Sequence, residues 1–176
     1  MTILTTPRLR LAPFADEHLD GLYALNSDPE VMRYITGKPD TREDTLAGIA
    51  RVKARWAEWG YSWWSIFELE TADPIGAGCI QHLGRDAANP LEIGWRLRKD
   101  KWHQGFASEA AEAMARFAFE TLKAPLLCAV CDPDNSASAR VMQRLGMVYR
   151  GIERWYDADC AVYQMSLADW QGRAPS

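Results

Sequence analysis

Apolar and polar positions change period several times along the chain, and the changes divide it into elements. Leu9 and Leu11 alternate with Arg8 and Arg10 up to Pro13, the period of a strand that stops where a proline removes a ladder donor. From Asp16 the period lengthens, and Leu19, Leu22 and Tyr23 give one apolar side of a helix that Gly21 weakens. Asp28 ahead of Pro29 caps a short helical turn reaching Met32 and Tyr34. Thr41 and Asp44 form a capping box before Leu46, Ile49, Ala50, Trp56 and Ala57, and Gly60 closes that helix. The aromatic and branched run 62–69 predicts a strand that turns through Asp73-Pro74 and pairs back along 75–80.

Residues 91–97 alternate again and predict a strand. The stretch Trp102-His103-Gln104-Gly105-Phe106-Ala107-Ser108 then reads as a loop entering a long helix, with Ala107, Ala110, Ala111, Met114, Phe117, Ala118 and Leu122 on its apolar side. The apolar run 126–131, bounded by Pro125 and Asp132-Pro133, predicts a strand buried on both faces. Strand, helix and strand in this order imply a right-handed parallel crossover. Residues 134–138 cap a further helix carrying Val141, Met142 and Leu145 and stopped by Gly146. Residues 147–155 and 160–167 predict a terminal hairpin, and the tail from Gln171 reads as loose.

A strand, a Gly-containing loop and an exposed helix N-terminus make an anion site, because the first N–H groups of a helix lack partners and its dipole is positive there. Arg96, Arg98, Lys99 and Lys101 crowd in just before the loop and predict a local cationic patch on a chain of net charge -4. That acidic balance argues against a general nucleic-acid binder. A chain of 176 residues suits one domain, expected to span 1–176. With no long apolar run and no signal-like start, the expected location is cytoplasmic, without membrane contact. The four cysteines, 79, 128, 131 and 160, read as buried thiols; Cys128 and Cys131 have C-x-x-C spacing but no second pair to complete a metal site.

Four passages together resemble the GCN5-related N-acetyltransferases, and within them the branch that acetylates ribosomal-protein N-termini. They are residues 6–11 with 27–32, Glu92-Ile93-Gly94-Trp95, residues 102–110, and Asn135-x-x-Ser138 with Leu145-Gly146-Met147. Gly105 and Ala107 fill the small positions of the family's cofactor loop, Trp102 stands where Arg or Gln is usual, and His103 replaces a common Gly. The resemblance implies an α/β fold: a central, mixed, mostly antiparallel twisted sheet with splayed middle strands, flanked by helices. It implies acetyl-CoA as cosubstrate and no metal, with the pyrophosphate on Trp102, His103, Gln104, Gly105, Phe106, Ala107 and Ser108. The pantetheine arm would pair with Ile93, Gly94, Trp95, Arg96 and Leu97, and the thioester would point toward Asn135 and Ser138.

The implied activity is acetyl transfer to a primary amine, a protein N-terminus or a small molecule. Only about one part in 10³ of such an amine is neutral at pH 7, so its proton needs a route out. Glu92 is the candidate base, acting through a water, with His82 as the second candidate. Many members protonate the leaving thiolate with a Tyr where this chain has Met142, which brings Ser138 forward and leaves Tyr149 and Tyr163 as alternatives. The same substitution keeps a non-catalytic acyl-CoA-binding module open as the alternative function. Family members often pair with themselves, and the aromatic-rich strand could contribute to a homodimer.

Overall fold

In the computed structural model, which describes residues 1–173, the chain opens with the strands β1 (Leu4–Thr5) and β2 (Leu9–Pro13) and a 3₁₀ turn at Asp16–His18. Three helices follow: α1 (Leu19–Asn26), α2 (Pro29–Met32) and α3 (Arg42–Trp59). Their ends lie where the sequence placed stop and start signals. Asp28 accepts from Glu30 N at 2.9 Å, Thr41 and Asp44 cap each other's backbone, and Gly60 at φ 76° closes α3. The short helix ends at Met32 rather than Tyr34.

Strands β3 (Trp63–Glu68), β4 (Gly76–His82) and β5 (Leu91–Leu97) form an antiparallel meander, and α4 (Phe106–Arg116) carries the chain to β6 (Leu126–Cys131), which lies parallel to β5. After α5 (Ser136–Leu145) come the hairpin strands β7 (Val148–Trp155) and β8 (Ala158–Ser166) and a last helix, α6 (Leu167–Gln171). The result is one eight-stranded sheet in the order β1-β2-β3-β4-β5-β6-β8-β7, antiparallel except at β5–β6.

Period-two alternation decides which side chains share a face. Gly78 pairs with Trp95, and a Cβ at Gly78 would meet the Met114 side chain, so α4 covers the face bearing Ile80, Ile93 and Trp95. Glu92, Gly94 and Arg96 project from the other face, where Asn26 at the end of α1 meets Arg96. The four cysteines are buried and unpaired. Among the described residues no helix is long and apolar enough to cross a membrane.

Two expectations about helices need correction. The long helix does not continue uniformly to Leu122: residues Phe117–Thr121 widen into a π turn, with Leu122 N donating to Phe117 O at 3.1 Å. Phe117, Ala118 and Phe119 are all buried, which a uniform 3.6-residue period on one face does not allow. The wider turn points Phe117 at Trp64 and stacks Phe119 on Trp170. The chain from Gln171 is not loose through Arg173, because Arg173 pairs with Glu112 at 2.8 Å; residues 174–176 lie outside the described residues.

Candidate functional site

The parallel pair β5–β6 is in register only at Leu91 with Leu127 and Glu92 with Cys128. Beyond that point each strand keeps its outer neighbour, β5 on β4 through Leu97 and β6 on β8 through Cys131, so the two part into a V. Among the described residues, Ile93 to Leu97 thus have an inner edge with no strand partner, an edge able to take an extended ligand. Glu92 sits at the apex. The chain leaves the wide end of the V into the N-termini of α4 and α5, which pack on each other.

Gly105 is the N-cap of α4 at φ 81°, and His103, two residues earlier, is also left-handed at φ 59°. The first intrahelical bond runs from Glu109 N to Gly105 O at 3.1 Å. Among the described residues, the amide N–H groups from His103 to Ser108 have no acceptor, and the buried Ser108 hydroxyl also has no partner. Successive unpaired amides at a helix start form a cradle for phosphate oxygens. The positive φ of His103 explains why a glycine is common there.

Sequence reasoning missed what holds this loop. Glu109 Oε1 accepts from Thr6 Oγ1 at 2.6 Å and from Arg8 N at 2.9 Å, and its Oε2 pairs with Arg8 Nε at 2.6 Å. Arg8 also donates from Nη1 to Gln104 O at 2.9 Å and lies 4.4 Å above the Phe106 ring. One arginine therefore fixes both sides of Gly105, and a Cβ there would come within 3.3 Å of its Nη2. The basic cluster is also not the cationic patch expected from composition. Arg98 pairs with Asp100, Lys99 with Glu30 and Lys101 with Glu68, which leaves the backbone amides to attract an anion.

Glu92 is buried, and burial raises its pKa; hydrogen bonds from Tyr156 and Gln81 and the charge of Arg85 hold it down. Tyr156 Oη donates to Glu92 Oε2 and itself accepts from Gly84 N at 3.1 Å. Gln81 Nε2 donates to the same carboxylate oxygen at 3.3 Å. Tyr156 comes from the tip of the terminal hairpin, a two-residue turn with Tyr156 at φ 52° and Asp157 at φ 60°, tighter than the expected 156–159 connection. A bulky residue at positive φ is strained by about 1–2 kcal/mol, and here the strain brings a phenol onto a buried carboxylate. No pattern in the sequence marks Tyr156.

His82 does not belong to this cluster. It alternates with Gln81 onto the opposite face, and both ring nitrogens are taken, Nδ1 by Asn89 O and Nε2 by Tyr61 Oη, each at 2.9 Å. Asn135 and Ser138 cap α5 reciprocally: Ser138 N donates to Asn135 Oδ1 at 3.2 Å, and Asn135 Nδ2 donates to Ser138 Oγ at 3.1 Å. The Ser138 proton stays available. Tyr163 is buried on β8, and Tyr149 is 51% exposed on the outermost strand, its ring 5.4 Å from that of Tyr163. Met142 is buried core.

Residues 8–148 match the family described as acetyltransferase (GNAT) domain. Among curated proteins, the chain is 30% identical over 172 residues to "Uncharacterized protein YkkB" of Bacillus subtilis (strain 168), covering 93% of this chain and 95% of that one. It is 30% identical over 149 residues to "Uncharacterized N-acetyltransferase YnaD" of the same organism, covering 85% and 84%. Among solved structures, the acetyltransferase from Agrobacterium tumefaciens str. C58 superposes with a TM-score of 0.81 at 28% identity, covering 94% of each chain.

Proposed function

The chain belongs to the GNAT acetyltransferase family and is an acyl-CoA-dependent acetyltransferase, and from that premise we propose that residues 1–176 work as one domain moving an acetyl group from acetyl-CoA to a primary amine. The observation that carries the reading is the V between β5 and β6, with a buried carboxylate at its apex and a row of unpaired amides at its wide end.

Trp102 to Ser108 hold the pyrophosphate through the amides of residues 103–108, while the Ser108 hydroxyl gains the partner it lacks in the protein. Ile93 to Leu97 offer the inner edge of β5 to the pantetheine arm. Asn135 holds the Ser138 oxygen and orients the hydroxyl proton outward. Acetyl-CoA supplies an electrophilic thioester carbonyl. Glu92 collects, through a water, the proton the amine must lose, and its burial makes it a stronger base than an exposed carboxylate. Ser138 donates a hydrogen bond to the sulfur as the C–S bond breaks.

Thiol release from acetyl-CoA, followed against a panel of amines and peptides, tests the reading. Glu92→Gln should lose about 10²- to 10⁴-fold in kcat/KM near neutral pH and less at high pH, where more of the amine is already neutral. Binding of acetyl-CoA with no thiol released for any acceptor would reassign the chain as an acyl-CoA-binding module.

A further inference from the structure

The Arg96 side chain is a half-buried cation on the same face of the sheet as Glu92. Its Nε donates to Asn26 Oδ1 at 3.0 Å, and its guanidinium carbon lies 4.7 Å from the centre of the Trp63 ring. Among the described residues no carboxylate pairs with it, and its terminal nitrogens have no acceptor. Its neighbours in sequence behave differently: Arg98, Lys99 and Lys101 each have an acid. Burial pushes Arg96 down to about 10, so it stays charged at neutral pH. By its surface the side chain is half-buried, so its terminal nitrogens remain reachable, and a partly desolvated charge with no carboxylate in contact is the kind of group found at binding sites.

The surroundings fix this cation in place. Asn26 is itself buried and donates from Nδ2 to Thr45 Oγ1 at 3.4 Å, which leaves Oδ1 facing Arg96. The Trp63 indole donates to Gln81 Oε1 at 3.2 Å, and Gln81 Nε2 donates to Glu92. A line of contacts therefore joins Arg96 to Glu92 on one face of the sheet, cation at one end and carboxylate at the other. Their Cα atoms are about 13 Å apart along β5, taking about 3.3 Å per residue. Between them Gly94 contributes no side chain, and the nearest atom to where its Cβ would stand is Cys79 Sγ at 3.3 Å.

We infer that the acceptor is an amino-carboxylate of extended shape, whose amine reaches toward Glu92 while its carboxylate docks on the terminal nitrogens of Arg96. A guanidinium takes a carboxylate through two parallel hydrogen bonds, so the pair fixes orientation as well as affinity. An α-amino acid is too short to touch both ends; a chain of several bonds between amine and carboxylate is not. The inference rests on the acyl-transfer reading above and names the acceptor class for that same cleft.

Two measurements on the full chain test it. In the first, thiol release is compared for 6-aminohexanoate, hexylamine and glycine with acetyl-CoA saturating. The expected kcat/KM for 6-aminohexanoate exceeds that for hexylamine by about 10- to 100-fold, the worth of a charge-assisted pair, and glycine is poor. Arg96→Met should erase that ratio and Arg96→Lys keep part of it, the loss appearing in the acceptor's KM. In the second, calorimetry follows 6-acetamidohexanoate and N-hexylacetamide binding to the CoA-loaded protein, which needs no turnover. The carboxylate compound should bind at least about 10-fold tighter, and Arg96→Met should remove the difference.

Equal use of 6-aminohexanoate and hexylamine, equal loss of both in Arg96→Met, or a loss confined to the KM of acetyl-CoA would each overturn the inference. If no amine releases thiol but the calorimetric preference is present and depends on Arg96, the docking site stands and the acyl-transfer reading falls. If Arg96→Met does not fold by circular dichroism, Arg96→Lys carries both comparisons.

Discussion

Replacing Tyr156 by Phe removes one hydroxyl and leaves Glu92 as buried as before. Its oxygen Oε2 accepts from Tyr156 and, at 3.3 Å, from Gln81. Burial raises the Glu92 pKa; Tyr156, Gln81 and the charge of Arg85 oppose the rise. Around the carboxylate stand Cys79 on β4, Cys128 on β6, Arg85 and Tyr156, so the phenol is the only one of these groups donating a hydrogen bond directly to it. A hydrogen bond to a charged group contributes about 1.5–3 kcal/mol, and at about 1.4 kcal/mol per unit its loss raises the pKa by about one to two units. A water entering beside Gln81 would recover part of that, so about one unit is the expected shift. Because the base must be ionised, the acid limb of kcat/KM should move up by that amount while the rate above the limb changes little. Thiol release between about pH 5 and pH 10 reads this directly, with Glu92→Gln as the control that lacks the limb. An acid limb coincident with that of the unchanged protein, or a uniform drop at every pH, would refute the reasoning. The sign also fixes stability. A carboxyl whose folded pKa is raised contributes fully below its unfolded value of about 4.3 and loses that contribution as pH rises through the folded value. Tyr156→Phe widens this window upward, so its deficit in melting temperature should grow as pH rises through the folded value of the unchanged protein.

Gly105→Glu puts a side chain at φ 81° and a carboxylate among the unpaired amides; calorimetry should find acetyl-CoA binding abolished in a folded protein, and unchanged affinity would remove the loop from the site. Glu109→Gln breaks the pairing with Arg8, which is 47% exposed, so the loss of stability should be about 1 kcal/mol with a several-fold weaker acetyl-CoA Kd. Burial works to raise the Glu109 pKa, but the hydrogen bonds from Thr6 and Arg8 outweigh it and the net shift is downward, so the contribution is present at neutral pH and the two melting curves should converge in acid. Ser138→Ala should lower kcat at every pH and leave acetyl-CoA affinity nearly unchanged; a full rate would move the leaving-group role to Tyr163 or water.

Elements with local signals were legible. Capping residues and terminal glycines set the ends of α3 and α5, and alternation alone marked β5. Elements that depend on distant partners were not. Strand β1 is two residues long and exists because Leu4 pairs with Leu11. Helix α6 has a capping box, Ser166 with Asp169, but Ser166 also ends a strand whose alternation hid it. The cofactor loop was legible because its chemistry lies in consecutive amides, which small residues and helix starts announce. Its clamp was not, since Arg8 and Glu109 lie 101 positions apart. The cationic patch failed for the same reason, because Lys99 and Lys101 meet Glu30 and Glu68 only in the folded chain.

The placement of Glu92 and Arg96 argues for function on grounds that pairing energetics supply. Two opposite charges on one strand face could lower their joint desolvation cost by meeting, and Arg98 with Asp100 does this across two positions. Glu92 and Arg96 do not meet. Gln81 and the Trp63 indole stand between them, and Asn26 holds the guanidinium on the far side. The groups in direct contact with each charge are neutral donors or acceptors, while Arg85 and Asp40 act on Glu92 and Arg96 only through their charge. Such an arrangement is worse for folding than either an ion pair or an apolar filling, and it leaves a carboxylate and a cation on one strand face with only Gly94 of that strand between them. A ligand carrying the complementary pair, an ammonium and a carboxylate, relieves both costs at once, so what the separation of the two charges costs in folding reappears as selectivity for what binds between them.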